Sequence, residues 1–164
     1  MEERQHNNLV ELFGKYNLEY EIIEHEAEGI SEKIAAIRGN KPEEGCKSML
    51  LRWKSYNDKG YLLADVPGNL KVNIDGIKVL KGFNELRMAT PDEVRNVTKC
   101  EIGAVPPFGE LFEIESVFDE KLFLNEYLYF NAASLIKSIK IKSSEVKKII
   151  ENNVEKYSIN NISI

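Results

Sequence analysis

Two apolar stretches, residues 47–53 and 61–66, flank Asn57-Asp58-Lys59-Gly60, whose residues tolerate the positive φ values that tight turns need. The pattern predicts a β-hairpin, so any fold for this chain has to hold a pair of antiparallel strands near its middle. Helical patterns surround it. Leu9, Val10, Leu12, Phe13 and Tyr16 recur at three- and four-residue spacing, while Asn7, Asn8, Glu11 and Lys15 fall on the opposite, polar face. Residues 20–25 read as a short strand, after which Ser31 offers an N-cap to a helix that Gly39 can close, with Ile34 and Ile37 inward. A further short helix is predicted over 74–81, with Ile74, Ile77 and Leu80 inward and Gly82 as its stop.

Thr90-Pro91-Asp92-Glu93 is the strongest local signal: an N-cap threonine, proline at the first helical position and glutamate at the third. That helix runs out near Lys99. Residues 103–109 then carry two prolines and two glycines, a composition that forbids a regular ladder and predicts a rigid loop. Residues 127–131 and 136–142 read as strands, and Ser143 or Ser144 opens a last helix bearing Val146, Ile149, Ile150 and Val154. The order is neither a strict βαβ series nor an all-β pattern, and it predicts an α+β domain with a mixed sheet surrounded by helices. With 164 residues, 43% of them hydrophobic, the chain is long enough for one continuous core. The expected division is one domain over residues 1–157 and a flexible polar tail over 158–164.

The formal charge of −5 argues against a protein that coats nucleic acid through net electrostatics, and leaves room for a small local contact. Two cysteines, Cys46 and Cys100, are too few for a disulfide framework and lack the spacing of a zinc site. No signal-peptide pattern opens the sequence and no apolar run reaches the roughly 18 residues needed to cross a bilayer, so a soluble cytoplasmic protein is expected, with no membrane contact.

There is no nucleophile elbow, P-loop, Rossmann glycine pattern or zincin helix, and the only histidines are His6 and His25. His25 reads as an ordinary strand-end residue sooner than as a general base, and Cys46 as a packed thiol sooner than as a nucleophile. Lys47 differs because it opens an apolar strand, where its ammonium would sit at the sheet end beside any cleft, either as an edge-of-sheet residue or as a functional cation. The loop from Gly103 likewise reads as a rigid connection or as a set of fixed amides that meet a substrate without reorganisation.

Taken in order, four segments resemble the YbaK/prolyl-tRNA synthetase-associated editing-domain family: Cys46-Lys47-Ser48-Met49-Leu50-Leu51, Ala64-Asp65-Val66-Pro67-Gly68-Asn69, Leu86-Arg87-Met88-Ala89-Thr90-Pro91-Asp92-Glu93-Val94, and Gly103-Ala104-Val105-Pro106-Pro107-Phe108-Gly109. The resemblance spans about Ser31 to Ile141. It implies a mixed, partly barrel-like α+β fold and a trans-acting aminoacyl-tRNA deacylase, with a non-catalytic tRNA or aminoacyl-adenosine-binding module beside a synthetase as the alternative. Lys47 matches the family's strand lysine and Gly103-Ala104-Val105-Pro106 its GxxP loop, which makes Lys47 and Gly103 the implied catalytic positions. Ser48, Ala104, Val105, Pro106, Asn131 and Ser134 are the implied substrate-binding ones. Some members carry a pocket histidine in the Asn131-Ala132-Ala133-Ser134 segment, and this chain has none. The implied partner is the acceptor end of an aminoacyl-tRNA, an aminoacyl-tRNA synthetase is left open as a second, and no cofactor or metal is implied. The cationic stretch Lys137, Lys140, Lys142, Lys147 and Lys148 could face an acceptor stem or be a solvated face.

Overall fold

The computed structural model describes residues 2–164. In chain order the elements are α1 (Glu2–Lys15), β1 (Tyr20–Glu24), α2 (Ser31–Arg38), β2 (Cys46–Lys54), β3 (Lys59–Pro67), α3 (Ile74–Lys81), β4 (Glu85–Met88), α4 (Pro91–Thr98), β5 (Glu115–Asp119), β6 (Tyr127–Asn131), β7 (Lys137–Lys142), α5 (Ser143–Asn152) and β8 (Tyr157–Asn160).

The hairpin is present and longer than its apolar pattern indicates: β2 and β3 pair antiparallel from Cys46–Pro67 to Lys54–Lys59, and the Ser55 N–H closes the turn on the Asp58 carbonyl at 2.8 Å. Both faces of the hairpin are apolar because each meets its own core. Leu51, Leu62, Ala64 and Val66 pack with Ile77 and Val117, while Leu50 and Leu63 pack with Ala104 and Val105. The hairpin lies inside a five-stranded mixed sheet of order β4-β2-β3-β5-β8, in which β3, β5 and β8 run parallel. A second, antiparallel sheet has the order β1-β7-β6 and shares a core with α1 and α5 through Leu9, Phe13, Phe130, Ile139, Val146 and Ile149. The isolated bridge Gly45–Tyr129 links the sheets, and neither closes into a barrel.

β5 and β8 have no counterpart in the sequence reading. Parallel neighbours are joined by long crossovers, so no hairpin turn flanks either strand to mark it. Residues 158–164, expected to fray, are instead tied down. β8 pairs with β5, Ile162 is fully buried, its N–H donates to Asp119 Oδ2 at 2.9 Å, and Lys71 and Ile164 exchange backbone hydrogen bonds at 2.9 and 2.8 Å. Of the three isoleucines in this segment Ile162 is the buried one, and strand pairing and backbone hydrogen bonds hold the rest.

Helix ends follow the capping signals unevenly. Thr90 and Glu93 form the expected box, with Thr90 Oγ1 accepting from the Glu93 N–H at 3.2 Å and Glu93 Oε1 from the Thr90 N–H at 2.9 Å. Ser31 does not cap α2; it is the first helical residue, and Ile30 sits at the cap without a side-chain bond. Ile37 and Leu80, expected inward, are 37% and 49% exposed, and Val154, expected on the last helix, lies beyond the end of α5 and is 74% exposed. α2 and α3 are only eight residues long and each presents essentially one turn to the core, so Ile34 with Ala35 in α2 and Ile77 in α3 take the buried positions.

Candidate functional site

β4 is short, and that shortness opens a cleft. It covers β2 only from Leu51 onward, its last contact being the Ala89 N–H donating to the Leu50 carbonyl at 2.9 Å. Along a strand, alternate residues present their backbone groups to opposite sides, so Ser48 aims its N–H and C=O toward the same side as Leu50, where no strand meets them. A cleft of about 410 Å³ fills this space. Consecutive residues Cys46 to Leu50 all line it, because it wraps the open edge and meets both faces of the strand. α2 forms one wall through Ile30, Ile34 and Arg38, while Met88, Ala89, Val94 and Ile102 form another. Ile30, Met88 and Ile102 are large apolar residues left 56%, 39% and 50% exposed, and all three line the cleft. An apolar surface of that kind suits a flat or aliphatic ligand group.

The loop after α4 closes the cleft and is held at both ends. Gly103 has φ +86°, and a Cβ there would lie 2.8 Å from Gly29 Cα, so the position requires glycine on both conformational and steric grounds. Asn131 Nδ2 donates to the Gly103 carbonyl at 2.7 Å and to the Glu28 carbonyl at 3.0 Å, tying together the two loops that touch at Gly29 and Gly103. Asn131 Oδ1 in turn accepts from Ser138 Oγ at 3.0 Å. Downstream, Phe108 is fully buried and meets Phe13 and Phe130 edge-on at ring distances of 5.5 and 5.6 Å, which fixes the far end of the loop. Neither the Gly103 nor the Val105 N–H has a protein acceptor among the described residues. The loop is rigid, and these two donors remain free.

Two cations line the cleft, and none of its lining residues is acidic. The Lys47 ammonium forms no ion pair or hydrogen bond among the described residues. Burial chiefly, and Lys71 secondarily, pull its ammonium below the ordinary lysine value, with Glu32 acting the other way. Arg38 ends α2 and has only neutral partners: Nε donates to Asn40 Oδ1 at 3.1 Å, Nη1 to Ser138 Oγ at 3.2 Å, and the guanidinium carbon lies 5.9 Å from the Tyr129 ring centre. Beneath the cleft floor Asp65 faces Ser48 across the hairpin, fully buried. Neither of its oxygens nor Ser48 Oγ closes a hydrogen bond of normal geometry. Burial pushes the Asp65 carboxyl well above the usual carboxylate range, with the nearby Ser48 hydroxyl opposing weakly.

Lys47, Ser48, Gly103, Val105 and Asn131 therefore meet at one cleft. Ala104, Pro106 and Ser134 do not line it. Ala104 and Ser134 are 1% and 2% exposed, Ala104 packing with Leu50 and Leu63 and Ser134 accepting from the Ile136 N–H at 3.1 Å. Burial raises the Cys46 thiol well above its ordinary value, as expected of a packed cysteine. None of the lysines of the cationic stretch on β7 and α5 lines the cleft; Lys140 sits over Tyr127 and Lys148 pairs with Glu145 at 2.7 Å. Among the described residues no group of three His, Cys, Asp or Glu could hold a metal ion, and no helix is long and apolar enough to cross a membrane. Arg38, Gly29 and Ile102 belong to the site without any sequence signal pointing to them. They come from loops and a helix end that only the packing of α2 and the Gly103 loop against β2 brings together.

The α+β scaffold thus carries a cleft at an open strand edge, bearing an unpaired lysine and a rigid loop with free amides. The chain belongs to the aminoacyl-tRNA editing domain family, which matches residues 25–149. It is 27% identical over 147 residues to the multifunctional Ser/Thr-tRNA deacylase ProXp-y of Escherichia coli K12, covering 89% of this chain and 88% of that one. It is 30% identical over 88 residues to the proline–tRNA ligase of Geobacillus sp. strain WCH70, covering 54% of this chain but 15% of the ligase. The fold superposes on the hypothetical protein APE2540 with a TM-score of 0.81 at 20% identity, over 95% of this chain and 99% of that one. A proposed trans-editing enzyme for prolyl tRNA synthetase gives a TM-score of 0.80 at 21% identity, over 99% and 97% of the two chains.

Proposed function

We propose that this protein hydrolyses, in trans, the ester bond of mischarged aminoacyl-tRNA, using Lys47 and the amides of the Gly103 loop. The observation that carries the reading is the convergence of an unpaired cation and two free N–H groups on one cleft. An aminoacyl ester is already activated, so the site has to position water and stabilise charge, with no side-chain nucleophile required. Water oxygen bonds to the acyl carbon, and the carbonyl oxygen takes the negative charge that the Gly103 and Val105 N–H groups and the Lys47 ammonium face. As the bond to the ribose breaks, the water proton passes to the leaving oxygen, with the vicinal hydroxyl as its relay. A single donor to such an oxyanion is worth about 10²–10³ in rate. The name of the Escherichia coli relative favours seryl and threonyl groups as the first substrates to try. On this reading the protein works in the cytoplasm on the acceptor end of tRNA, with an aminoacyl-tRNA synthetase as a partner.

The test is a panel of tRNAs mischarged with alanine, serine, threonine and cysteine, incubated with wild-type protein and Lys47→Ala. Wild type should deacylate at least one, and Lys47→Ala should lose about 100-fold or more in kcat. Its melting temperature should hold, because on balance the surroundings disfavour the ammonium. Full turnover by Lys47→Ala would remove Lys47 from the mechanism, and tRNA binding with no turnover by wild type would make the protein a binding module.

A further inference from the structure

Arg38 is the second cation of the cleft, and the chemistry just described does not use it. Its guanidinium is half-buried, which brings its pKa down to about 10. No ion pair among the described residues includes it. A partly buried charge without a counter-charge is unfavourable, so its retention beside a cleft with no acidic lining residue calls for an anion from outside the protein. Its bonds to Asn40 and Ser138 use Nε and one N–H of Nη1, and they hold the guanidinium plane still. Three of its five N–H donors are left without a protein acceptor, and Nη2, which carries two of them, is not sealed from solvent. A fixed planar fork with free N–H groups matches two oxygens of a phosphate better than a lysine does. Arg38 is close enough to Cys46, next to Lys47, for its charge to act on that thiol.

Resting on the deacylase reading, we propose that Arg38 is the phosphate-binding residue of this cleft. It takes the non-bridging oxygens of the phosphodiester on the 5′ side of the aminoacylated nucleoside and leaves Lys47 to the ester. In aminoacyl-tRNA the amino acid's carboxylate is consumed in the ester, so that phosphodiester is the anion nearest the reacting bond in every such substrate. The division of labour follows from the two side chains: a compact ammonium suits a single developing oxyanion, a planar fork a phosphate.

The experiment measures binding apart from turnover. A non-hydrolysable seryl-amide analogue of the terminal adenosine is prepared with and without a 5′-phosphate, and Kd is measured by calorimetry for wild type, Arg38→Gln and Arg38→Lys. The phosphate should tighten wild-type binding at least tenfold, and Arg38→Gln should abolish that gain while binding the unphosphorylated analogue as wild type does. Arg38→Lys should keep a partial gain. On an aminoacylated single strand, Arg38→Gln should also flatten the dependence of log Kd on log salt by about 0.7. A wild type indifferent to the phosphate, or a gain that persists in Arg38→Gln, overturns the assignment. If Arg38→Gln binds neither analogue, Arg38→Lys decides: a retained gain upholds the assignment and a lost one overturns it. Phosphate-dependent binding without deacylation of any mischarged tRNA would sink the hydrolase reading and leave the role of Arg38 standing.

Discussion

Asp65 should make this protein less stable as pH rises through the range where most proteins gain stability. Its carboxyl is fully buried opposite Ser48, and no donor neutralises it in ionised form. Burial raises its folded-state pKa well above the ordinary 3.8. An acid with a raised folded pKa keeps its proton in the fold after the unfolded chain has released it. Its contribution is therefore most favourable below the unfolded value and is lost steadily as pH rises toward the folded value, above which the penalty is constant. Between the unfolded and the folded value the slope is about 1.4 kcal/mol per pH unit. For a domain of this length each such pH unit corresponds to about 3–6 °C in Tm. Asp65→Asn has nearly the same shape and no titration. Urea unfolding of wild type and Asp65→Asn at pH 5, 6 and 7, followed by the fluorescence of the sole tryptophan, Trp53, isolates this one group because every other titration is common to both proteins. The variant should gain on wild type by about 1.4 kcal/mol for each pH unit until Asp65 ionises in the folded protein. A difference between the two that stays flat with pH would refute the reasoning, because it would mean that Asp65 titrates alike in the folded and unfolded states.

Three further substitutions probe the scaffold of the site. Gly103→Ala forces a side chain into the left-handed region and against Gly29, so a loss of about 1–3 kcal/mol in unfolding free energy with a parallel fall in deacylation is expected; an unchanged Tm would show that the loop gives way. Asn131→Asp replaces a donor by an acceptor facing the Gly103 and Glu28 carbonyls, and should lower deacylase kcat well below that of Asn131→Ala, a ranking that steady-state assays on one mischarged tRNA can check. Ile162→Ala removes a fully buried side chain from the segment beyond β8 and should cost about 2–5 kcal/mol by thermal or urea unfolding, whereas a truly frayed tail would show no change.

Where local chemistry decides conformation, the sequence was enough. The box at Thr90 and Glu93 and the left-handed stop at Gly82 each depend on contacts within a few residues and are present in the fold, whereas the hairpin turn falls two residues earlier than its sequence signal, over Ser55 to Asp58 and without positive φ, with Lys59 and Gly60 already in β3. Lys47 and the Gly103 loop were legible for the same reason: a cation opening an apolar strand and a glycine–proline cluster are unusual locally, whatever surrounds them. Ala104, Pro106 and Ser134, implied as binding positions by the same motif, do not line the cleft, since contiguity in a motif does not say which side of a loop a side chain takes.

What the tertiary structure alone decided depends on residues distant in sequence. β5 and β8 exist because parallel partners and the buried Ile162 stabilise segments with no turn signal of their own. The cleft exists because β4 stops at Met88, leaving the edge of β2 from Ser48 to the strand's start uncovered. Arg38 and Asp65 acquire their properties from burial and from the absence of a counter-charge, quantities set by packing across the sheet and α2. Sequence determines a turn or a cap because its energy is local; a cleft, a desolvated guanidinium or a trapped proton is a property of what surrounds a residue, and that is known only once the chain has folded.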